Sequence, residues 1–345
     1  MLQFLMSIIL FIVFIQFNIF SFQSEKSGLV IRSFLIDIPG YPMAYNPSFL
    51  KCDYGYSVVF RHDPLYSKYT ETSNSFLCHV KLDKFFNCIS RPVLLDTGNT
   101  NSEDPRLFVV KDNAYISYTR VIKWPPHSNC DICCSEFDLL KQKVKKSVSI
   151  KYSEGDVEKN WVPFVVLNEN CDDDIYFVYK YLPHRILKLS ANLDGTAVVA
   201  YDNKNGSNTL KKWEDKWGKI RGGTPAILIN DEYVAFFHSS FSTSNAMYYV
   251  MGVITFESKP PFRIKKISKK PIYFNDMYSK RVTENAWFYG KRGEKPMYVI
   301  FPSGLVIGEE DGKDVFYVLC GENDVGIRCV VIDKEILFTT LERAI

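Results

Sequence analysis

EDPRLFVVKDNAYISYTR, residues 103–120, joins a proline turn to an apolar run, a polar Lys-Asp-Asn turn and a second run rich in aromatic and β-branched residues. Short apolar runs bounded by turn residues read as two antiparallel strands in a hairpin. The same order of parts returns in NPSFLKCDYGYSVVFR from Asn46, NWVPFVVLNENCDDDIYFVYKY from Asn160, GGTPAILINDEYVAFFHSS from Gly222 and FPSGLVIGEEDGKDVFYVLCG from Phe301. The starts at 46, 103, 160, 222 and 301 are 57, 57, 62 and 79 residues apart, the length of a four-stranded unit with variable loops. Repetition at that period predicts a radial array, an all-β five-bladed β-propeller. It also predicts that the polar residues opening each unit recur at equivalent places and converge on one pocket.

Composition agrees with many short strands: 46% of the 345 residues are hydrophobic and 15% aromatic, with 21 Tyr and 26 Phe. No long stretch has helical periodicity, and a single propeller domain over residues 24–345 accounts for the chain after its leader. The net charge of +3 is scattered, which excludes the basic footprint of a nucleic-acid binder. The two densest basic runs, from Lys141 and from Arg263, read as solvated strand faces or loops. Three irregular regions, 127–135, 202–217 and 274–296, read as loops, and residues 334–345 as a short terminal helix.

Residues 2–22 are almost wholly apolar and Glu25 is the first charged side chain, so residues 1–23 read as a signal peptide or a signal anchor. Either one sends the chain into the secretory pathway, to be secreted or held at a membrane through this segment. Nine cysteines follow, at 52, 78, 88, 130, 133, 134, 171, 320 and 329, and an oxidising compartment makes disulfides their expected use. The Cys-Asp-Ile-Cys-Cys cluster from Cys130 has the spacing of half a metal site, but no partner half-site with histidine follows. Asn205-Gly206-Ser207 is a glycosylation acceptor sequence in a polar turn.

Adjacent carboxylates beside a guanidinium, as in Glu103-Asp104-Pro105-Arg106, can keep one carboxyl protonated while its neighbours orient hydroxyl groups; a structural ion pair on an Asp-Pro turn is the plainer reading. The order Asn46-Pro47, Glu103-Asp104-Pro105-Arg106, Lys159-Asn160-Trp161, Gly222-Gly223-Thr224-Pro225, Phe237-His238-Ser239-Ser240 and Phe301-Pro302-Ser303-Gly304 then resembles glycoside hydrolase family 130, the β-1,4-mannosyl oligosaccharide phosphorylases. The likeness covers roughly residues 40–335.

That resemblance implies an inverting enzyme of β-mannosides that phosphorolyses oligosaccharides to mannose 1-phosphate or runs the reverse mannosyl transfer. It implies Asp104 as general acid and Lys219, Arg221 and His238 as phosphate-binding residues. Asn46, Arg61, Glu103, Arg106, Lys159, Asn160, Trp161 and Asp324 are implied in substrate binding, with Trp161 or Tyr45 suited to stacking on a sugar ring. Inorganic phosphate would be the co-substrate, an oligosaccharide or glycan the partner, and no metal or organic cofactor is called for. Ser239, where the family commonly has glycine, and Arg221, at a position often small, depart from the pattern. An inverting β-mannosidase, which needs a second carboxylate in place of the phosphate cations, and a non-catalytic glycan-binding propeller are the alternatives.

Overall fold

The computed structural model describes residues 28–63, 74–123, 128–170, 172–279 and 296–344. The expected leader and Cys171 lie outside the described residues. Strand β1 (Val30–Ile36) comes first, and five antiparallel meanders follow it along the chain. The first is β2 (Ala44–Cys52), β3 (Gly55–His62), β4 (Phe76–Leu82) and β5 (Val93–Leu94). The second is β6 (Ser102–Val110), β7 (Asn113–Lys123) and β8 (Asn129–Asp138), edged by β9 (Lys143–Val144) and β10 (Val148–Ser149). The third is β11 (Val162–Leu167), β12 (Asp173–Tyr181), β13 (His184–Leu189) and β14 (Ala197–Asn203).

Helix α1 (Asn208–Trp217) leads into the fourth: β15 (Arg221–Gly222) and β16 (Ile227–Ile229) on β17 (Glu232–Ser242), then β18 (Met247–Glu257) and β19 (Ile264–Ser268). The fifth is β20 (Met297–Glu310), β21 (Lys313–Glu322) and β22 (Gly326–Asp333), and its outer strand is β1, from the start of the chain. A short parallel match, Met247–Tyr249 beside Met297–Val299, fuses the last two meanders into one ten-stranded sheet. Helix α2 (Lys334–Thr340) and strand β23 (Leu341–Arg343) end the described chain.

Alternation along each strand places its apolar side chains on the two faces of a sheet, and each face is covered by a neighbouring meander. Five apolar clusters result. One joins Val58, Phe60 and Val80 to Leu319 and Val331, which is first meander against fifth. Others join Val59 and Leu77 to Leu107 and Ile116, Phe108 and Ile132 to Trp161 and Phe177, Phe164 and Ile186 to Tyr233 and Phe256, and Val234 and Met251 to Phe316 and Val330. Each meander thus shares a core with its chain neighbours, and the last shares one with the first. The opening strands adjoin in the same sequence: β2 lies beside β6 and β20, and β6 beside β11.

Three expectations need correction. The segment expected to be a loop at 127–135 is mostly β8, whose cysteines pair in register with β7. The one expected at 202–217 holds α1, capped where the Ser207 hydroxyl accepts from the Leu210 N–H, with Leu210 and Trp213 buried one turn apart. Third, the eight described cysteines are all free thiols. Cys78, Cys133, Cys134, Cys320 and Cys329 are each at most 1% exposed and sit in the cores as small apolar residues. Burial pushes the Cys133 and Cys134 thiols up to about 12, far from the thiolate needed for exchange.

Candidate active site

The turns that open the meanders share an unusual backbone. Asn46, Asp104 and Asn160 have φ of 44°, 52° and 63°, in the left-handed region that Asn and Asp tolerate better than other side-chain-bearing residues. Register breaks between Tyr45 and Ser48 and between Glu103 and Arg106 show that the Asn-Pro and Asp-Pro pairs are strand bulges. Proline suits a bulge because it has no N–H to give to the ladder. Strain of this kind, on the order of 1–3 kcal/mol per residue, gathers at functional sites.

Asp104 lines a cavity of about 600 Å³ with Lys159, Asn160, Lys219, Arg221 and His238, residues drawn from the second, third and fourth meanders. The Asn46 side-chain amide donates to Asp104 Oδ1 at 2.8 Å, and Arg61 Nη1 stands 3.7 Å from the same oxygen. Oδ2 has no protein partner among the described residues, on a side chain that faces the cavity. The carboxyl is therefore held by one oxygen and offers the other.

Behind Asp104 lies a buried charged network. Arg61, 5% exposed, meets Glu103 at 2.7 Å and Asp63 at 2.8 Å, with the Tyr45 ring under its guanidinium and the Tyr45 hydroxyl donating to Asp63 at 2.6 Å. Lys159 Nζ reaches the other Glu103 oxygen at 2.9 Å. Burial opposes the charge on Lys159, but Glu103 and Asp104 outweigh it and hold its pKa above the ordinary lysine value. Burial, with Asp104, Asp63 and Glu103 adding repulsion against the pull of Arg61, raises Asp324 to about 7. Asp324 itself has a left-handed backbone, φ 51°.

Several expected substrate contacts take other places. Glu103 is 1% exposed and spends its oxygens on Arg61 and Lys159, so it braces the turn. Trp161 borders the cavity but is only 1% exposed: it packs edge-on among Tyr152, Phe177 and Tyr179 and donates its indole N–H to Glu158 at 3.2 Å. Tyr45 is likewise 2% exposed. Arg106 is fully enclosed, and its N–H groups point at protein oxygens.

The family resemblance places His238 among the phosphate-binding residues. It is 1% exposed between Tyr249 and Phe301, and burial, reinforced by Arg221 and Arg106, pushes its pKa well below 6.5. The ring is a neutral hydrogen-bonding group, which leaves Lys219 and Arg221 as the cations on that wall. Lys219 is exposed, and Arg221 donates to the Ser240 hydroxyl at 3.2 Å.

Residues that sequence reasoning passed over include Asp63, just past the end of β3 and bound by Arg61, and Tyr181 on the cavity wall, whose buried hydroxyl has no hydrogen-bond partner among the described residues. The Arg-His-Asp spacing at 61–63 carried the signal for Asp63; nothing local marks Tyr181. Glu154 and Lys180, ion-paired to each other, form the outer rim.

The family model described as beta-1,4-mannooligosaccharide phosphorylase, glycoside hydrolase family 130, matches residues 37–342. No curated protein sequence matches the chain. Among solved structures, the fold is similar to a mannose phosphorylase from Leishmania mexicana in complex with phosphate ion, at 13% identity over 91% of each chain with a TM-score of 0.57. It is also similar to a beta-1,2-mannobiose phosphorylase from Listeria innocua in complex with beta-1,2-mannobiose, at 13% identity over 92% of this chain and 98% of that one, TM-score 0.55. A GDP-Man-dependent mannosyltransferase from Leishmania mexicana aligns at 14% identity over 90% and 92%, TM-score 0.53. Identity this low is a likeness of fold. With the family match spanning most of its length, the chain belongs to glycoside hydrolase family 130, whose members are glycoside phosphorylases or glycoside hydrolases.

Proposed function

We propose that the protein is an inverting β-mannoside phosphorylase built as one five-bladed propeller, with its site on the axis. The shared cores between successive meanders and between last and first support five blades closed by β1. The observation that carries the activity is one cavity holding Asp104, with a free carboxyl oxygen, together with Lys219 and Arg221. In the step, a phosphate oxygen attacks the anomeric carbon from the face opposite the glycosidic bond. That bond breaks as Asp104 gives its proton to the leaving oxygen, directly or through a sugar hydroxyl, and α-mannose 1-phosphate is formed. Arg221 offers a fork and Lys219 a point charge to the anion; neutral His238 adds a hydrogen bond.

The hydrolase reading needs a second carboxylate free to activate water. On the cavity wall, Glu158 binds Trp161, Tyr179 and the Glu154 N–H, while Glu154 pairs with Lys180 and Arg185. Those engagements favour phosphate over water as nucleophile. On this reading the apolar residues 2–22 send the domain into the secretory pathway, and the substrate is an oligosaccharide or glycan.

The test is incubation of β-1,4- and β-1,2-linked manno-oligosaccharides with and without phosphate. Phosphate-dependent mannose 1-phosphate is the expected product; free mannose at the same rate in both would replace the reading with hydrolysis. Asp104→Asn is expected to lower kcat by about 10²-fold or more.

A further inference from the structure

We propose that Arg106 is a positioning residue that locks the anion-binding turn to the acid-bearing turn, acting through three main-chain oxygens and the Asn160 side chain and never touching substrate. The inference rests on the phosphorylase reading of the cavity. Arg106 is 1% exposed. Its Nε donates to the Gly223 carbonyl at 2.7 Å, Nη1 to the Asp104 carbonyl at 3.0 Å, and Nη2 to Asn160 Oδ1 at 3.4 Å and the Gly222 carbonyl at 3.5 Å. One side chain therefore ties the opening turns of three meanders together.

The geometry of those turns explains why a fork is needed. A Cβ on Gly222 would stand 2.1 Å from the Asn160 carbonyl oxygen, and one on Gly223 would stand 2.3 Å from that of Phe236. The turn is pressed against its neighbours, with its carbonyls directed inward, and it carries Arg221 in register with His238. A planar guanidinium satisfies carbonyls from both sides at fixed angles; an ammonium is a single point and cannot.

All four of these acceptors are uncharged, and among the described residues no carboxylate hydrogen-bonds to the guanidinium. Burial draws its pKa down to about 10, with Asp104 and then Tyr181 opposing the fall, so it stays charged near neutral pH. Its charge acts on His238, as does that of Arg221, and adds to the attraction for an anion in the cavity.

The experiment compares wild type with Arg106→Lys and Arg106→Gln, measuring phosphorolysis while phosphate and mannoside are varied separately. Amide hydrogen exchange over residues 219–226 and inorganic phosphate binding by calorimetry are measured alongside. For Arg106→Lys the KM for phosphate is expected to rise about tenfold or more and kcat to fall about as much, with the KM for mannoside moving less than about threefold. Exchange over 219–226 is expected to quicken while the first meander keeps its protection.

Unchanged phosphate KM and kcat in Arg106→Lys, or exchange that quickens evenly over the whole chain in both variants, would overturn the proposal. Should Arg106→Lys fail to fold, Arg106→Gln, tested for recovery of kcat by added guanidinium, takes its place, and no recovery counts against positioning. A wild type that neither binds nor uses phosphate sinks the phosphorylase reading instead. The role of Arg106 is then read in the hydrolytic kcat and in exchange over 219–226: a fall in the first with quickening of the second upholds it, and no change in either overturns it.

Discussion

At the scale of the residue, the site depends on side chains held in costly backbone states. Asn46 at φ 44° is spent on aiming one amide N–H at Asp104. Asn46→Gly keeps the left-handed backbone without strain but removes that donor. One hydrogen bond to a carboxyl is worth about 1–2 kcal/mol, so kcat is expected to fall about tenfold with stability nearly unchanged, as steady-state rates and thermal melting would show. Equal rates would mean that the carboxyl is oriented without Asn46. The adjoining residues show how far sequence can mislead: Trp161 and Glu103 have the right chemistry for sugar binding, yet both point into the protein.

At the scale of the element, the fourth meander depends on glycines at close approaches. Gly223→Ala would force a methyl toward the Phe236 and Pro302 carbonyl oxygens, 2.3 and 2.8 Å away, with no flexible side chain to yield. A loss of about 2–3 kcal/mol is expected in urea unfolding, with a larger fractional loss of activity because the same turn carries Arg221. A milder effect belongs to α1. Removing its cap in Ser207→Ala should cost about 1 kcal/mol by the same measurement. The strands were legible from apolar runs and turn residues, whereas α1 was not, because only Leu210 and Trp213 of its ten residues are buried. So short an apolar stripe disappears among the lysines around it.

At the scale of the whole molecule, the fifth meander depends on β1, which completes it by pairing with β22. Deleting residues 1–27 is expected to leave cooperative thermal unfolding intact, and deleting residues 1–36 to abolish it, because β22 would be left as an open edge. Equal melting of the two would show that the β1–β22 pairing contributes little. Acid sensitivity is also spread over the molecule. Burial lowers His79 and His184 from 6.5 to about 4, and His238 well below 6.5. His79 and His184 each take up a proton more readily unfolded than folded, so the contribution of each is complete above pH 6.5 and is lost as pH falls toward about 4. The slope is on the order of 1.4 kcal/mol per pH unit for each histidine, and urea midpoints should drop steeply between pH 6.5 and 4.5. A flat profile there would contradict neutral burial.

The amino-acid order alone determined the five repeated strand pairs, the turns that open them and the polar residues in those turns, because hairpin chemistry and apolar alternation are local. Only the tertiary structure decided which polar residues face the cavity. Asp104, Lys219 and Arg221 face one cavity, while Glu103 and Arg106 turn inward to brace it and Trp161, at its edge, is buried in core packing. That division is set by contacts between residues tens to hundreds of positions apart, such as Arg106 with Gly223, and no local pattern records which way a side chain faces when distant turns close around it.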